Sequence, residues 1–203
     1  MVTSNTYRQS SEHPEYKKYA EIDANNQMLW RMNWLRLEAE VLRDSVLAIS
    51  GRLQKSTGGP GVFLNVPVDM AEGFEFFKWF ASGEKEQLRR TIYTFQRRSV
   101  MMPMVEVFDG ANMSETCSRR NVTTVAPQAF TLLNGELTNT EARHFAERIV
   151  EMVGPDRDKQ VDRAFWLALG RPPSKNEKQN AMKVPLARLG VVLFNLNEFL
   201  YLE

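Results

Sequence analysis

Two guanidinium groups, a side-chain amide and two hydroxyls lie close together at Arg119, Arg120, Asn121, Thr123 and Thr124. Groups of these types donate hydrogen bonds, and a converging set would bind an oxyanion such as sulfate, phosphate or a carboxylate. A second reading competes with it. Arg119 and Arg120 then pair with Asp109, Glu106 or the carboxylates between residues 38 and 44, while Asn121 and the threonines satisfy loop backbone. Those carboxylates belong to a seam of Arg36, Glu38, Glu40, Arg43 and Asp44, which with Asp109 reads as a structural ion-pair set. Helical spacing puts Arg36 within reach of Glu40, and Glu40 within reach of Arg43. If the seam is covered, its charges must be paired.

Other chemistries find less material. General acid catalysis needs a carboxyl group with a raised pKa, yet Glu38, Glu40, Asp44 and Asp109 each have an arginine nearby in sequence or on a helix, which lowers it. Cys117 is the only cysteine, so no intrachain disulfide or thiolate cluster can form. Beside Arg119 and Arg120 it reads either as an activated thiolate or as a buried inert thiol. The two histidines, His13 and His144, have no ligand spacing, and no metal site is expected. The aromatic group Phe74, Phe76, Phe77, Trp79 and Phe80 suits either core packing or stacking on sugars or bases. With 26 Lys and Arg against 25 Asp and Glu there is no long-range field to recruit nucleic acid. No apolar run is long enough to insert in a membrane, and the first nineteen residues lack a hydrophobic signal core.

The elements that must position these groups are mostly helical. Met28, Met32, Leu35, Ala39, Leu42, Val46, Ile49 and Leu53 alternate spacings of four and three, which predicts one long helix over 28–53. Trp30, Trp34, Leu37, Val41 and Ala48 form a second stripe on its opposite side, so this helix should be sandwiched by others. Gly58 to Gly61 reads as a turn. The stretches 62–68 and 90–95 read as short strands that pair, and 101–109 as a buried apolar connector. Pro127 marks a helix start, and Thr138 with Glu141 and Ser174 with Glu177 read as capping boxes. Helices are expected over about 141–153, 158–169 and 176 to the end, the last broken or kinked at Pro185. The fold class is therefore mainly α, a helical bundle around one long central helix with a small strand pair or hairpin. Residues 1–203 form a single domain, and residues 1–24 an extended or loosely turned arm.

Several ordered motifs carry a family likeness. They are Tyr7 to Ser11, Leu29 to Asn33, Arg36 to Glu40 with Arg43 and Asp44, Arg119 to Asn134, Leu167 to Pro173, and Asn197 to Tyr201. Through them the chain resembles the planctomycete PSD-type C-terminal domain, a domain of unknown function. The resemblance implies a C-terminal fragment of a larger exported or periplasmic protein with an upstream domain, often accompanied by a c-type haem domain. No Cys-x-x-Cys-His haem attachment motif is present, so no cofactor is expected in this chain, and haem c would belong to an upstream domain. A stretch before Leu186 also looks shortened relative to the family.

Two functions remain in competition. The first is a non-catalytic docking or binding module whose partner is the upstream domain or another exported protein. The alternative is an enzyme domain acting on an anionic carbohydrate, for example a sulfated one, through Arg119, Arg120 and nearby carboxylates. A module should hold its arginines paired with no pocket, and an enzyme should line a cleft with unpaired arginines and a carboxylate.

Overall fold

Helix α6, Glu136–Val153, is the longest described helix, and it buries Ala142, Phe145 and Ile149 at spacings of three and four. The computed structural model describes residues 2–66, 79–98, 101–111, 113–114, 116, 118 and 120–202. Within them the order is α1 (Tyr16–Ile22), β1 (Leu35–Arg36), α2 (Ala39–Ser50), α3 (Glu84–Gln87), a 3-10 turn (Thr91–Tyr93), α4 (Pro103–Val107) and α5 (Ala126–Asn134). After α6 come α7 (Arg157–Leu169), α8 (Lys175–Ala181), α9 (Leu186–Phe194), α10 (Asn197–Leu200) and β2 (Tyr201–Leu202). The fold is mainly α, as the periodicity predicts.

The core lies where α6 meets α9, α2 and α7. Phe145 of α6 contacts Phe194 of α9, and Phe194 contacts Phe199 of α10, with ring centroids 5.6 and 5.4 Å apart. Gly190 allows α9 to approach this closely, because a Cβ there would sit 3.1 Å from Phe145 Cδ1 and 3.2 Å from Ala142 Cβ. The caps are local. Asp156 accepts from the N–H groups of Asp158 and Lys159 to start α7, and Ser174 with Glu177 forms the expected capping box of α8. Pro185 separates α8 from α9 and stands at the N-cap of α9. The C-terminus of α2 ends at Gly51 with φ 86°, and the cationic Arg148 donates to the carbonyls of Ala48 and Ile49 there.

Several expectations are corrected. The long helix over 28–53 is present only as α2, and the central helix of the bundle is α6 instead. Upstream of residue 39 the chain turns, with Asn26 and Leu29 at φ 54° and 55°. Asn26 is buried, donates to Arg31 O and Asn33 Oδ1, and accepts from Arg31 N–H, while Asp23 accepts from the N–H groups of Gln27 and Met28. These local side-chain bonds compete with helical ones, and the two expected apolar stripes are left at the surface at Met28 and Leu35 and at Trp34. The strand pair is not 62–68 with 90–95. Among the described residues, which leave out 67 and 68, those segments meet in one parallel bridge, Val62 with Thr94, and the ladder joins Leu35 to Leu202 and Arg36 to Tyr201, antiparallel.

Three more differences are local. Residues 16–22 of the expected extended arm are helical. The stretch read as an irregular connector contains α4, with Pro103 at its first turn and Val105 and Phe108 buried. Thr138 and Glu141 do not cap a helix, because Gly135 ends α5 and α6 begins at once with Glu136, which places both residues inside α6. Pro127 does lie in the first turn of α5.

Candidate functional site

Arg36 is withdrawn from solvent: β1 pairs its backbone with β2, and its guanidinium lies against the Phe108 ring just beyond α4. Its Nη2 donates to Asp109 Oδ2 at 2.6 Å and to Phe108 O at 3.2 Å, and its Nη1 donates to Thr123 O. Asp109, held at φ 57°, accepts from the Thr123 N–H at 2.8 Å and from its hydroxyl at 2.9 Å. Gln128 of α5 closes the group by donating to Val107 O and Thr123 O. Burial alone would raise the Asp109 carboxyl, but the Thr123 and Arg36 hydrogen bonds outweigh it and hold it below its ordinary range.

Arg120 meets Glu40 as a fork, with Nη1 to Oε2 at 2.8 Å and Nη2 to Oε1 at 3.0 Å, and Glu38 lies 3.5 Å away. Burial opposes the ionised form of Glu40, yet the Arg120 hydrogen bonds and the helix backbone lower its pKa. Neither carboxylate is poised to give up a proton as a general acid.

Of the predicted anion-binding residues, Thr123 and Arg120 therefore direct donors at Asp109 and Glu40. Asn121 and Thr124 are both exposed, and the Thr124 hydroxyl lies 3.3 Å from the Tyr201 hydroxyl. Arg119 and Cys117 lie outside the described residues, as do Phe74, Phe76 and Phe77 of the aromatic group. Trp79 is described, and packs with Phe63 and Phe95 while its indole N–H donates to Leu64 O. The seam does not pair along a helix as expected: Arg36 precedes α2 and reaches Asp109, and Glu40 reaches Arg120 across the fold.

Arg43 faces the 87–91 loop from α2. Its Nη1 donates to Arg89 O and Thr91 Oγ1, both at 3.1 Å, and its Nη2 to Gln87 O. Asp44 accepts from the Thr91 N–H at 2.7 Å and hydroxyl at 2.6 Å, and stands 3.9 Å from Arg43. Beside them a cavity of about 700 Å³ opens between α2, α4, α6 and the 64–66 loop, with Arg43, Glu141 and Thr138 among its lining residues. Glu141, fully buried, accepts from Ser50 Oγ at 2.7 Å and Arg52 Nη1 at 3.1 Å.

Sequence reasoning did not single out Glu141, Ser50, Arg52, Thr91 or Gln128 for these contacts. Apart from the short Gln128–Thr123 bond, their partners are 21 to 91 positions away along the chain, so no local spacing announces them. Arg171 was visible only inside a motif. It forks to both Glu177 and Glu198, at 2.6 to 3.0 Å, and so clips α8 to α10.

The histidines serve separate elements. His13 packs against Tyr19 and Trp30, and His144 contacts Glu147 on α6. Among the described residues no group of three His, Cys, Asp or Glu side chains could hold a metal ion. Among them, too, no helix is long and apolar enough to cross a membrane.

Helix α5 is arranged the other way round from an ordinary surface helix. Its buried positions are Gln128 and Leu132, while Ala126, Ala129, Phe130 and Leu133 face solvent. Phe130 is 63% exposed, and the preceding Val122 is 62% exposed. Residues 121–134 carry no charged side chain.

A family model described as "PSD1: Protein of unknown function (DUF1553)" matches residues 1–184. Neither a curated protein nor a solved structure gives a match.

Proposed function

The chain belongs to the PSD1 (DUF1553) family of proteins of unknown function, and from that premise we propose that it is a non-catalytic docking module whose contact surface is the outer face of α5. The observation that carries this reading is the exposed set Ala126, Ala129, Phe130 and Leu133, spaced i, i+3, i+4 and i+7. That is the pattern by which one helix lays apolar anchors into the groove of another protein. Val122 and Val125 extend the strip, and the absence of charge from 121 to 134 calls for an equally uncharged receiving groove.

Below this face the support is rigid. Gln128 ties α5 to α4 and to Thr123, and Arg36 ties Thr123 to Asp109. The residues once open to an anion-binding reading thus support a presenting scaffold. The favoured occupant is an apolar groove on an upstream domain of the same exported protein, in keeping with the multidomain architecture that the resemblance implies. Any haem chemistry would then lie in that domain and assign no role to a residue present here. The carbohydrate-enzyme alternative has less support, since Arg120 is held by Glu40 and the nearby carboxylates Glu40 and Asp109 have lowered pKa values.

The test places a photo-crosslinking amino acid at position 130, and separately at the exposed Lys159, in the protein as its own cell makes it. The expected result is one product specific to position 130, mapped by peptide sequencing to an uncharged groove and lost with Leu133→Asp at unchanged melting temperature. Equal crosslinking from both positions, or a product consisting only of a second copy, overturns the reading.

A further inference from the structure

The turn between α1 and β1 is built stiffly, yet it holds apolar side chains out into solvent. Asp23 accepts from the N–H groups of Gln27 and Met28, Asn26 is tied to Arg31 and Asn33, and the Trp30 indole N–H donates to Asp23 O. What this frame presents is Ile22, 72% exposed, Met28, 80% exposed, and Leu29, 53% exposed. The Asp23 bonds fold Met28 back beside the end of α1, so the three side chains share one tip. Leu29 is held at φ 55°, a conformation that Gly, Asn or Asp adopts more readily than a bulky apolar residue. Neither its backbone strain nor its exposure is offset by burial within the chain, and strain of this kind concentrates where a segment meets a ligand or partner.

Behind the tip stands a collar of different chemistry. Tyr16 and Tyr19 contact Trp30 with ring centroids 5.4 and 5.7 Å away. Arg31 lies over the Tyr16 and Trp30 rings at 5.7 and 5.2 Å, and Lys18 over Tyr19 at 5.5 Å. Helix α1 has 7 residues from Tyr16 to Ile22 and buries none of them, so at 1.5 Å per residue the collar lies within about 10 Å of the tip. Side chains of an interfacial segment enter a bilayer to about 5–10 Å, with aromatic rings at the headgroup level and long cations reaching back toward water. Charge decides between lipids. Lys17, Lys18 and Arg31 are balanced by Glu15, Glu21 and Asp23, so nothing here calls for an anionic headgroup.

We propose that Ile22, Met28 and Leu29 insert into a lipid surface with zwitterionic headgroups, Tyr16, Tyr19 and Trp30 lying among the headgroups and Lys18 and Arg31 donating to their phosphates. Glu21, about 100° around α1 from Ile22, stays in water. The chain lies on the bilayer and does not span it; among the described residues no helix is long and apolar enough to cross. An uncharged protein groove would take the same tip, but it would give the rings and cations behind it no role.

The test is co-sedimentation of the intact chain with vesicles of phosphatidylcholine alone and of phosphatidylcholine with phosphatidylglycerol. Binding to both is expected, within about 3-fold of each other, and it should survive about 1 M salt, where charge attraction is screened beyond about 3 Å. Met28→Ser combined with Leu29→Asn is expected to weaken binding about 10-fold or more. Leu29→Asn alone should weaken it while leaving the melting temperature unchanged or raised, because Asn accepts φ 55° more readily, and a merely structural leucine would not separate those two readouts. A chain that stays in solution with both vesicles overturns the proposal, as does binding lost at high salt or a folded double variant that binds unchanged. A crosslink from position 28 to a partner protein, without vesicle binding, overturns it in favour of a protein groove. The docking reading stands apart from these outcomes, because Phe130→Ser on α5 should leave vesicle binding unchanged.

Discussion

Around α6 and α9 the chain is held by apolar contact: Phe145, Ile149, Leu193 and Phe194 are cut off from solvent and lie against one another. The segments 26–38, 87–95 and 120–125 are held differently. They bury few large apolar side chains, and Arg36, Arg43 and Arg120 tie them to α2 and α4 through carbonyls, threonine hydroxyls and carboxylates. A loop without a ladder leaves backbone carbonyls unpaired, and a buried guanidinium with five donors in a fixed fork satisfies several of them at once. The contrast teaches where dependence on single residues lies. A packed core shares its stability over many contacts, whereas a clamped loop hangs on one or two side chains.

The largest effect should come from the core. Phe145→Ala removes a ring that contacts Phe194 and approaches Gly190, and should cost about 3–5 kcal/mol, read as a lower urea midpoint for the whole molecule in one transition. A biphasic transition would break the comparison, because the clamped loops would then be unfolding independently of the bundle.

Next in size is Arg36→Met. It strands Asp109 and the carbonyls of Phe108 and Thr123, at about 3 kcal/mol, but the loss should be local. Proteolysis and hydrogen exchange should rise within 104–125 while α6 and α9 keep their protection. Uniform loss of protection would show that the clamp and the core are one cooperative unit.

The smallest effect sharpens the comparison on the exposed side of the bundle. Arg171 lowers the Glu177 carboxyl to about 2 from 4.5, chiefly through its hydrogen bonds. The folded pKa is below the unfolded one, so the contribution is complete above about pH 4.5 and is lost as the pH falls toward 2. The pair is roughly one-third exposed, which limits it to about 1 kcal/mol or less. Glu177→Gln should melt slightly below the parent at pH 6, and the two melting curves should converge near pH 2. Asp109 and Glu40, also lowered, add acid sensitivity of the same sign in the clamped region.

How much of this was legible differs between the same two regions. The bundle could be read in part: Pro127 at the start of α5, the capping box at Ser174, and Pro185 as the break before α9 all appear in the sequence as local patterns. The long helix over 28–53 was misread because periodicity counts apolar residues without asking whether anything covers them. Side-chain bonds from Asp23 and Asn26 turn the chain before a helix can form. The candidate sites were less legible still. Arg36, Arg43 and Asp109 could be named as members of an ionic set, but their partners Thr91, Phe108 and Thr123 lie 14 to 87 positions away.

By itself the sequence determined a mainly helical chain with balanced charge, a single cysteine and a charge-free strip at 121–134, because composition, periodicity and caps act within a few residues of where they are written. Only the tertiary structure decided that α6 is the central helix, that β1 pairs with β2 near the far end of the chain, that the arginines clamp loops, and that Phe130 faces outward while Gln128 faces in. Those outcomes depend on which surfaces remain after the long-range contacts form, and burial is a property of the assembled neighbours rather than of a residue type.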